Sequence, residues 1–303
     1  MKRVYITGAA GLLGANLAYR IRNDYAVFGS DRNPLLLPGL SLTRMDYRQP
    51  DVLERDIRAV CPDCVIHCAA YSDVDGCERN PELARQMNVT LAERTAFACR
   101  SVGARMIYIS TDAIYCGEQG MLSREDSPVS PCNVYAATKL AGERHTPEDG
   151  LILRTNFVGY NARARISFFE WMTSAMHRGE TLRLFGDVSF SPLSVDGFVR
   201  ILALCLERPL CGVYNASCDG SVTKLWFGQA TQRIFGFSNA TIEEISVRQA
   251  PFLARRSNNM GLDNRRLQQA LGGSSFSSAE DTILQLKALW DAGYPQMLRR
   301  FSP

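Results

Sequence analysis

The chain has 303 residues, 46% of them hydrophobic and 21% charged, which suits a globular protein large enough for a sizeable core and two lobes. A net charge of +3 is too small to call for a nucleic-acid or membrane-surface partner. No apolar run is long enough to span a membrane, and Met1-Lys2-Arg3 leads directly into a short strand instead of a secretory apolar region, so a cytoplasmic location is expected.

The first predicted strand, Arg3 to Thr7, runs into Gly8-Ala9-Ala10-Gly11-Leu12-Leu13-Gly14 and then a helical segment through Arg22. Strand, glycine-rich turn and helix form the context of a dinucleotide fingerprint, here in the spacing G-x-x-G-x-x-G. The glycines allow a tight turn and close backbone approach to a pyrophosphate, which faces the free N–H groups of the helix start. A second strand, Tyr25 to Ser30, ends in Asp31-Arg32. A carboxylate there accepts from ribose hydroxyls and favours NAD, while a neighbouring arginine suits the 2′-phosphate of NADP. With both present the choice stays open, leaning to NAD.

Leu42 to Asp46 reads as a third strand that brings Asp46 near the adenine edge, and a helix through Val60 follows. The strand Cys64 to Cys68 leads into Ala69-Ala70-Tyr71, small residues suited to a chain passing under a cofactor. Ten cysteines include one close pair, Cys61 and Cys64, but His67, His145 and His177 are far apart in sequence. Reduced structural thiols are expected, with no metal. Pro81 opens a long helix to about Ser101 that carries Asn88, and the strand Arg105 to Ile109 delivers Ser110-Thr111-Asp112 to its C-terminal end. Strands alternating with helices up to Leu151–Arg154 predict an α/β fold with a Rossmann-type doubly wound parallel sheet.

Between these strands lies Tyr135-Ala136-Ala137-Thr138-Lys139. Residues four apart on a helix share a face, so a phenol and an ammonium stand side by side. The cation is expected to bring the phenol's pKa down from its ordinary value near 10. With the Thr111 hydroxyl nearby, the pair can pass a proton to or from a carbonyl oxygen. Beyond Thr155 the pattern is less regular. It holds Asn156-Phe157, loop arginines Arg163 and Arg165, an aromatic-rich helix from Ile166 to Arg178, a strand from Thr181 to Phe185 and a helix from Val195 to Glu207. Arg255-Arg256 then precedes a last pair of helices. Arginines scattered in this way suit a diphosphate.

On these motifs the chain resembles the extended short-chain dehydrogenase/reductases, and most closely the dTDP-4-dehydrorhamnose reductases and their sugar-nucleotide-binding relatives. Ala69-Ala70-Tyr71 through Val74-Asp75, Glu78, Pro81–Ala84 and Asn88 carry the likeness, as do Ser110–Asp112, Tyr135/Lys139 with Gly142-Glu143, Arg154-Thr155 and Leu262-Asp263 through Gly272. The resemblance implies an NAD(P)H-dependent reduction of a 4-keto nucleotide sugar, with Thr111, Tyr135 and Lys139 catalytic. It implies cofactor contacts from Gly8, Ala10, Gly11, Leu12, Leu13, Gly14, Asp31, Arg32, Asp46, Tyr47, Cys68, Ala69, Ala70, Tyr71, Asn88, Tyr135 and Lys139. Val74, Asp112, Asn156, Phe157 and Arg256 are the implied substrate contacts.

The expected lobes are 1–155 with 188–222 for NAD or NADP, and a smaller α/β substrate-binding lobe of 156–187 with 223–303; a homodimer is an expected assembly. The chain departs from the family at Phe157 in place of tryptophan, at Asp187–Leu193 in place of Asp-Gln-x-Gly-x-Pro-Thr, and at Ser257 in place of proline. Two other readings stand beside reduction. One is a nucleotide-sugar epimerase or dehydratase, against which Asp112 is followed by Ala113 where a dehydratase carries a second acid. The other is a non-catalytic NAD(P)-binding regulatory subunit.

Overall fold

A computed structural model describes residues 1–117, 120–163, 166–273 and 276–302. Its first half alternates strand and helix: β1 (Arg3–Thr7), α1 (Leu12–Ile21), β2 (Ala26–Asp31), β3 (Ser41–Arg44), α2 (Val52–Val60) and β4 (Cys64–His67). After α3 (Val74–Arg79), the predicted long helix appears as α4 (Pro81–Arg85), a π-helical turn at Gln86–Thr90, and α5 (Leu91–Val102). Then come β5 (Arg105–Ile109), α6 (Val134–Glu143) and β6 (Leu151–Thr155).

The second half contains β7 (Phe157–Val158), α7 (Phe168–His177), β8 (Thr181–Phe185), β9 (Ser189–Phe190), β10 (Leu193–Ser194), α8 (Val195–Glu207) and β11 (Gly212–Ala216). It continues with β12 (Val222–Thr223), α9 (Lys224–Phe235), β13 (Thr241–Ile245) and β14 (Asn259–Met260). Three helices close the described chain, α10 (Arg265–Ala270), α11 (Ala279–Asp291) and α12 (Tyr294–Arg299), where a pair was expected. Gly293, at φ +68°, separates α11 from α12, and Pro295 lies in the first turn of α12.

Seven strands form one parallel sheet in the order β11-β6-β5-β4-β1-β2-β3. The side chains of β1, β4 and β5 alternate between two cores. Val4, Ile6, Cys64, Ile66, Ile107 and Ile109 face one, and Tyr5, Val65, Met106 and Tyr108 face the other. Burial on both faces is why these strands read as continuous apolar runs. The order reverses between β1 and β4, and the C-terminal ends of parallel strands border a crevice at such a point. Across that crevice, β8 pairs with β13, and β9 pairs with both β12 and β14.

Candidate active site

The C-terminal strand ends open into a cavity of about 1240 Å³, larger than the roughly 300–1,000 Å³ of one ordinary ligand pocket. It is lined from Gly8 at one end to Lys224 and Arg256 at the other, so it has room for two ligands end to end.

At the first end the backbone builds the wall. Gly8 sits at φ +67°, and a Cβ there would lie 2.9 Å from the backbone of Ala69. A Cβ on Gly14 would come within 2.2 Å of the Gly8 carbonyl. Only glycine lets this turn close, and Gly11 N donates to the Gly8 carbonyl at 3.0 Å. The start of α1 has no side-chain cap and no acidic residue in its first turn, which fits a pyrophosphate.

Asp31 at the end of β2 accepts from Ala10 N (3.1 Å) and Asn33 N (3.1 Å), and from Arg163 Nη2 (2.9 Å), reaching over from the loop after β7. Its neighbour Arg32 also lines the cleft; Arg165 falls outside the described residues. The Tyr47 hydroxyl donates to the Ser30 carbonyl (2.6 Å) and accepts from Gly8 N (2.8 Å), which fixes the glycine turn. Asp46 is paired with Arg48, whose hydrogen bonds hold its carboxyl at about 2.

Leu12, Leu13, Cys68, Ala69, Ala70 and Tyr71 line the same end. Asn88 is a correction, for it does not line the cleft. Its amide is spent accepting from Tyr71 N (2.8 Å) and donating to the Tyr71 carbonyl (3.2 Å) and Thr138 Oγ1 (3.0 Å). Asn88 therefore ties the Tyr71 segment to α6. His67 is buried, with Nδ1 between Thr7 and Thr95, as a packed strand residue should be.

The centre of the cleft holds Thr111, Tyr135 and Lys139 together. Asn133 caps α6 by accepting from Ala136 N at 2.9 Å, which fixes the first turn carrying Tyr135. The Thr111 hydroxyl lies near enough to favour the Tyr135 phenolate, a smaller effect than burial. The expected lowering of the phenol's pKa is not met: burial pushes it up to about 12. Lys139 is turned instead toward the Ile109 carbonyl (2.8 Å), with its ammonium 4.1 Å from the centre of the Tyr108 ring. Burial draws its own pKa down to about 8. Tyr135 is therefore a protonated acid at neutral pH, the form that gives a proton. Thr111 directs its one proton at Asp112 Oδ1 (3.1 Å).

At the far end Asp112 is buried and also accepts from Asn156 Nδ2 at 2.6 Å. Phe157 is half-buried, its ring 5.8 Å from that of Phe198, so it packs on the core while also lining the cleft beside Val74. Arg256 pairs with Asp75 at 2.9 Å, and its buried Nη1 has no partner. Lys224, absent from the sequence-based site, lines this end. Its signal was its place directly after the Thr223 cap of α9, where a cation opposes the helix dipole. The aromatic pairs Phe168/Trp171 and Phe185/Phe252 also line this end and were not foreseen.

Fold and site together define a Rossmann-type protein with a threonine–tyrosine–lysine centre between a dinucleotide cradle and a charged, aromatic subsite. The chain belongs to the RmlD substrate binding domain family, whose model matches residues 1–287. It is 30% identical over 292 residues to the probable low-salt glycan biosynthesis reductase Agl14 of Haloferax volcanii, covering 94% of this chain and 97% of that protein. It is 32% identical to the dTDP-4-dehydrorhamnose reductase of Mycobacterium tuberculosis over 283 residues, 90% of this chain and 88% of the relative. A crystal structure of the Bacillus anthracis dTDP-4-dehydrorhamnose reductase in complex with NADP is similar at a TM-score of 0.82 and 27% identity, covering 94% of this chain and 99% of that one.

Proposed function

We propose that this chain is an NAD(P)H-dependent reductase of a 4-keto nucleotide-diphosphate sugar, acting in the manner of a dTDP-4-dehydrorhamnose reductase. The observation that carries this reading is the protonated Tyr135 phenol, gathered with Thr111 and, one turn along, Lys139 in the cleft between the glycine cradle and the Arg256 subsite. The Gly8 and Gly14 backbone, the start of α1 and Asp31 would hold the dinucleotide, whose reduced nicotinamide supplies a hydride when bound. Tyr135 gives its proton to the developing alkoxide, with the Thr111 hydroxyl lining the cleft beside it. Lys139 keeps a positive charge beside the oxygens as charge develops. Arg256, with Nη1 unpaired, is suited to the diphosphate. Asp112, followed by Ala113, lacks the second acid that an elimination would use.

The proposal includes the two lobes, 1–155 with 188–222 for the cofactor and 156–187 with 223–303 for the sugar. It also includes a homodimer, to be measured by sedimentation velocity. The decisive assay incubates purified protein with NADH or NADPH and a panel of 4-keto nucleotide sugars, followed at 340 nm. Oxidation with one member of the panel supports the reading. Tight cofactor binding with no turnover on any member would make the chain a binding subunit.

A further inference from the structure

Lys224 is the cleft residue whose surroundings leave its donors unspent. Its ammonium lies 3.3 Å from the centre of the Phe190 ring and 4.5 Å from that of Phe168. Among the described residues it finds no hydrogen-bond acceptor, and it stands beyond ion-pair contact with Asp112, the carboxylate that attracts it. Two aromatic faces steady a cation but accept no hydrogen bond along its N–H directions. Asp112 lines the same cleft, its carboxylate anchored by Asn156 on one oxygen and Thr111 on the other. Donor and acceptor thus border one stretch of the cleft, separated by more than a direct contact.

A group between them must accept from an ammonium and donate to a carboxylate. A hydroxyl does both, whereas a carboxylate there would gain one cation and meet one anion. Asp112 directly follows Thr111, which lines the cleft with Tyr135, and the bracketed group is assigned to the ring position next to the reacting carbon. In a 4-keto-6-deoxyhexose, carbon 5 bears a methyl group and carbon 3 a hydroxyl. We propose that Lys224 is a specificity-determining residue which, with Asp112, brackets the sugar hydroxyl on carbon 3.

This inference rests on the nucleotide-sugar reading above, and its test is a binding measurement that needs no turnover. Calorimetry with NAD⁺ present compares dTDP-rhamnose and its 3-deoxy analogue on the wild-type protein and on Lys224→Met. The wild type should bind dTDP-rhamnose on the order of 10- to 100-fold more tightly than the 3-deoxy analogue, the scale of a hydrogen bond to a charged group. Lys224→Met should erase most of the 3-hydroxyl advantage while leaving affinity for the 3-deoxy analogue and for NAD⁺ unchanged. Equal losses for both rhamnose ligands would overturn the proposal and leave Lys224 a partner of Asp112 alone. Wild-type protein that binds NAD⁺ but neither sugar nucleotide would remove the nucleotide-sugar reading, and this inference with it.

Discussion

The two ends of the cleft are built from different materials. The cofactor end is backbone: the glycine turn, the uncapped start of α1, and the chain from Cys68 to Tyr71 passing beneath. The substrate end is side chain, with Asp112, Asn156, Lys224 and Arg256 brought together from four separated segments and interleaved with aromatic rings. A backbone site depends on local sequence and tolerates almost no substitution at its glycines. A side-chain site depends on the whole fold and can change one residue at a time. Chemistry sits at the seam between them, where Tyr135 and Lys139 share a helix face.

The seam should be the most sensitive place. Tyr135→Phe removes the donated proton while keeping the ring in place, so turnover should fall roughly 10²–10⁴-fold with cofactor affinity unchanged. Single-turnover kinetics with a saturating ketone would check it. A rate near wild type would take Tyr135 out of the chemistry.

Lys139 separates function from stability. Its pKa is drawn from 10.5 down to about 8 by burial, so between those values the unfolded chain binds the proton that the folded chain has lost. The charged lysine therefore destabilises the fold most below pH 8, and stability gains as pH rises from about 8 toward 10.5. Lys139→Met should raise the stability near pH 7 by about 1–3 kcal/mol, seen as a higher melting temperature, after the lost contacts with Ile109 and Tyr108 are set against the relieved burial. Activity should fall at least tenfold. In the wild type, kcat/KM should decline as pH rises through about 8, where Lys139 loses its proton. A flat profile from pH 7 to 9.5, or a variant less stable than wild type, would contradict this account.

The contrast between the two ends also sets what a sequence discloses. The glycine turn, Asp31 and the tyrosine–lysine pair were legible because each is local: a spacing along one strand, turn or helix is enough to state its chemistry. The parallel sheet was legible for the same reason, through apolar runs of strand length. Lys224 was not, since nothing near it in sequence shows that Phe190, Phe168 and Asp112 surround it. Asn88 erred the other way. Its family position pointed to the cofactor, and only the π-turn and its three hydrogen bonds show the amide already committed to Tyr71 and Thr138. The tyrosine's pKa was misjudged because helical spacing reveals neither the burial that raises it nor the Ile109 carbonyl that receives the Lys139 ammonium.

Phe157 tests how far the substrate end can change without disturbing the core. Its ring touches both, so Phe157→Ala should lower kcat/KM by about 1–3 kcal/mol, the scale of a lost apolar contact. Thermal stability should also drop, by about 1–2 kcal/mol for a half-buried ring. A loss confined to stability would place the ring wholly in the core.

The smallest effect concerns a side chain from the second half of the chain that reaches into the backbone-built end. Arg163 holds Asp31 at 2.9 Å, with both side chains partly screened from water. With Arg163 in place, the carboxylate that would repel a 2′-phosphate carries a compensating charge, and Arg32 stands beside it. Arg163→Ala exposes that negative charge, so NADPH should bind several-fold more weakly, about 1 kcal/mol, while NADH is little changed. Asp31→Ala acts in the opposite sense: it removes the acceptor for the ribose hydroxyl and frees Arg163 for phosphate, so NADH should lose more than NADPH. Both shifts should shrink with added salt, since the pair is only partly buried. Fluorescence titration of the two cofactors on the two variants, at low and moderate ionic strength, gives the ratio directly. If both substitutions move the NADPH-to-NADH ratio the same way, Arg163 is a tie between the two halves of the chain and has no part in choosing the cofactor.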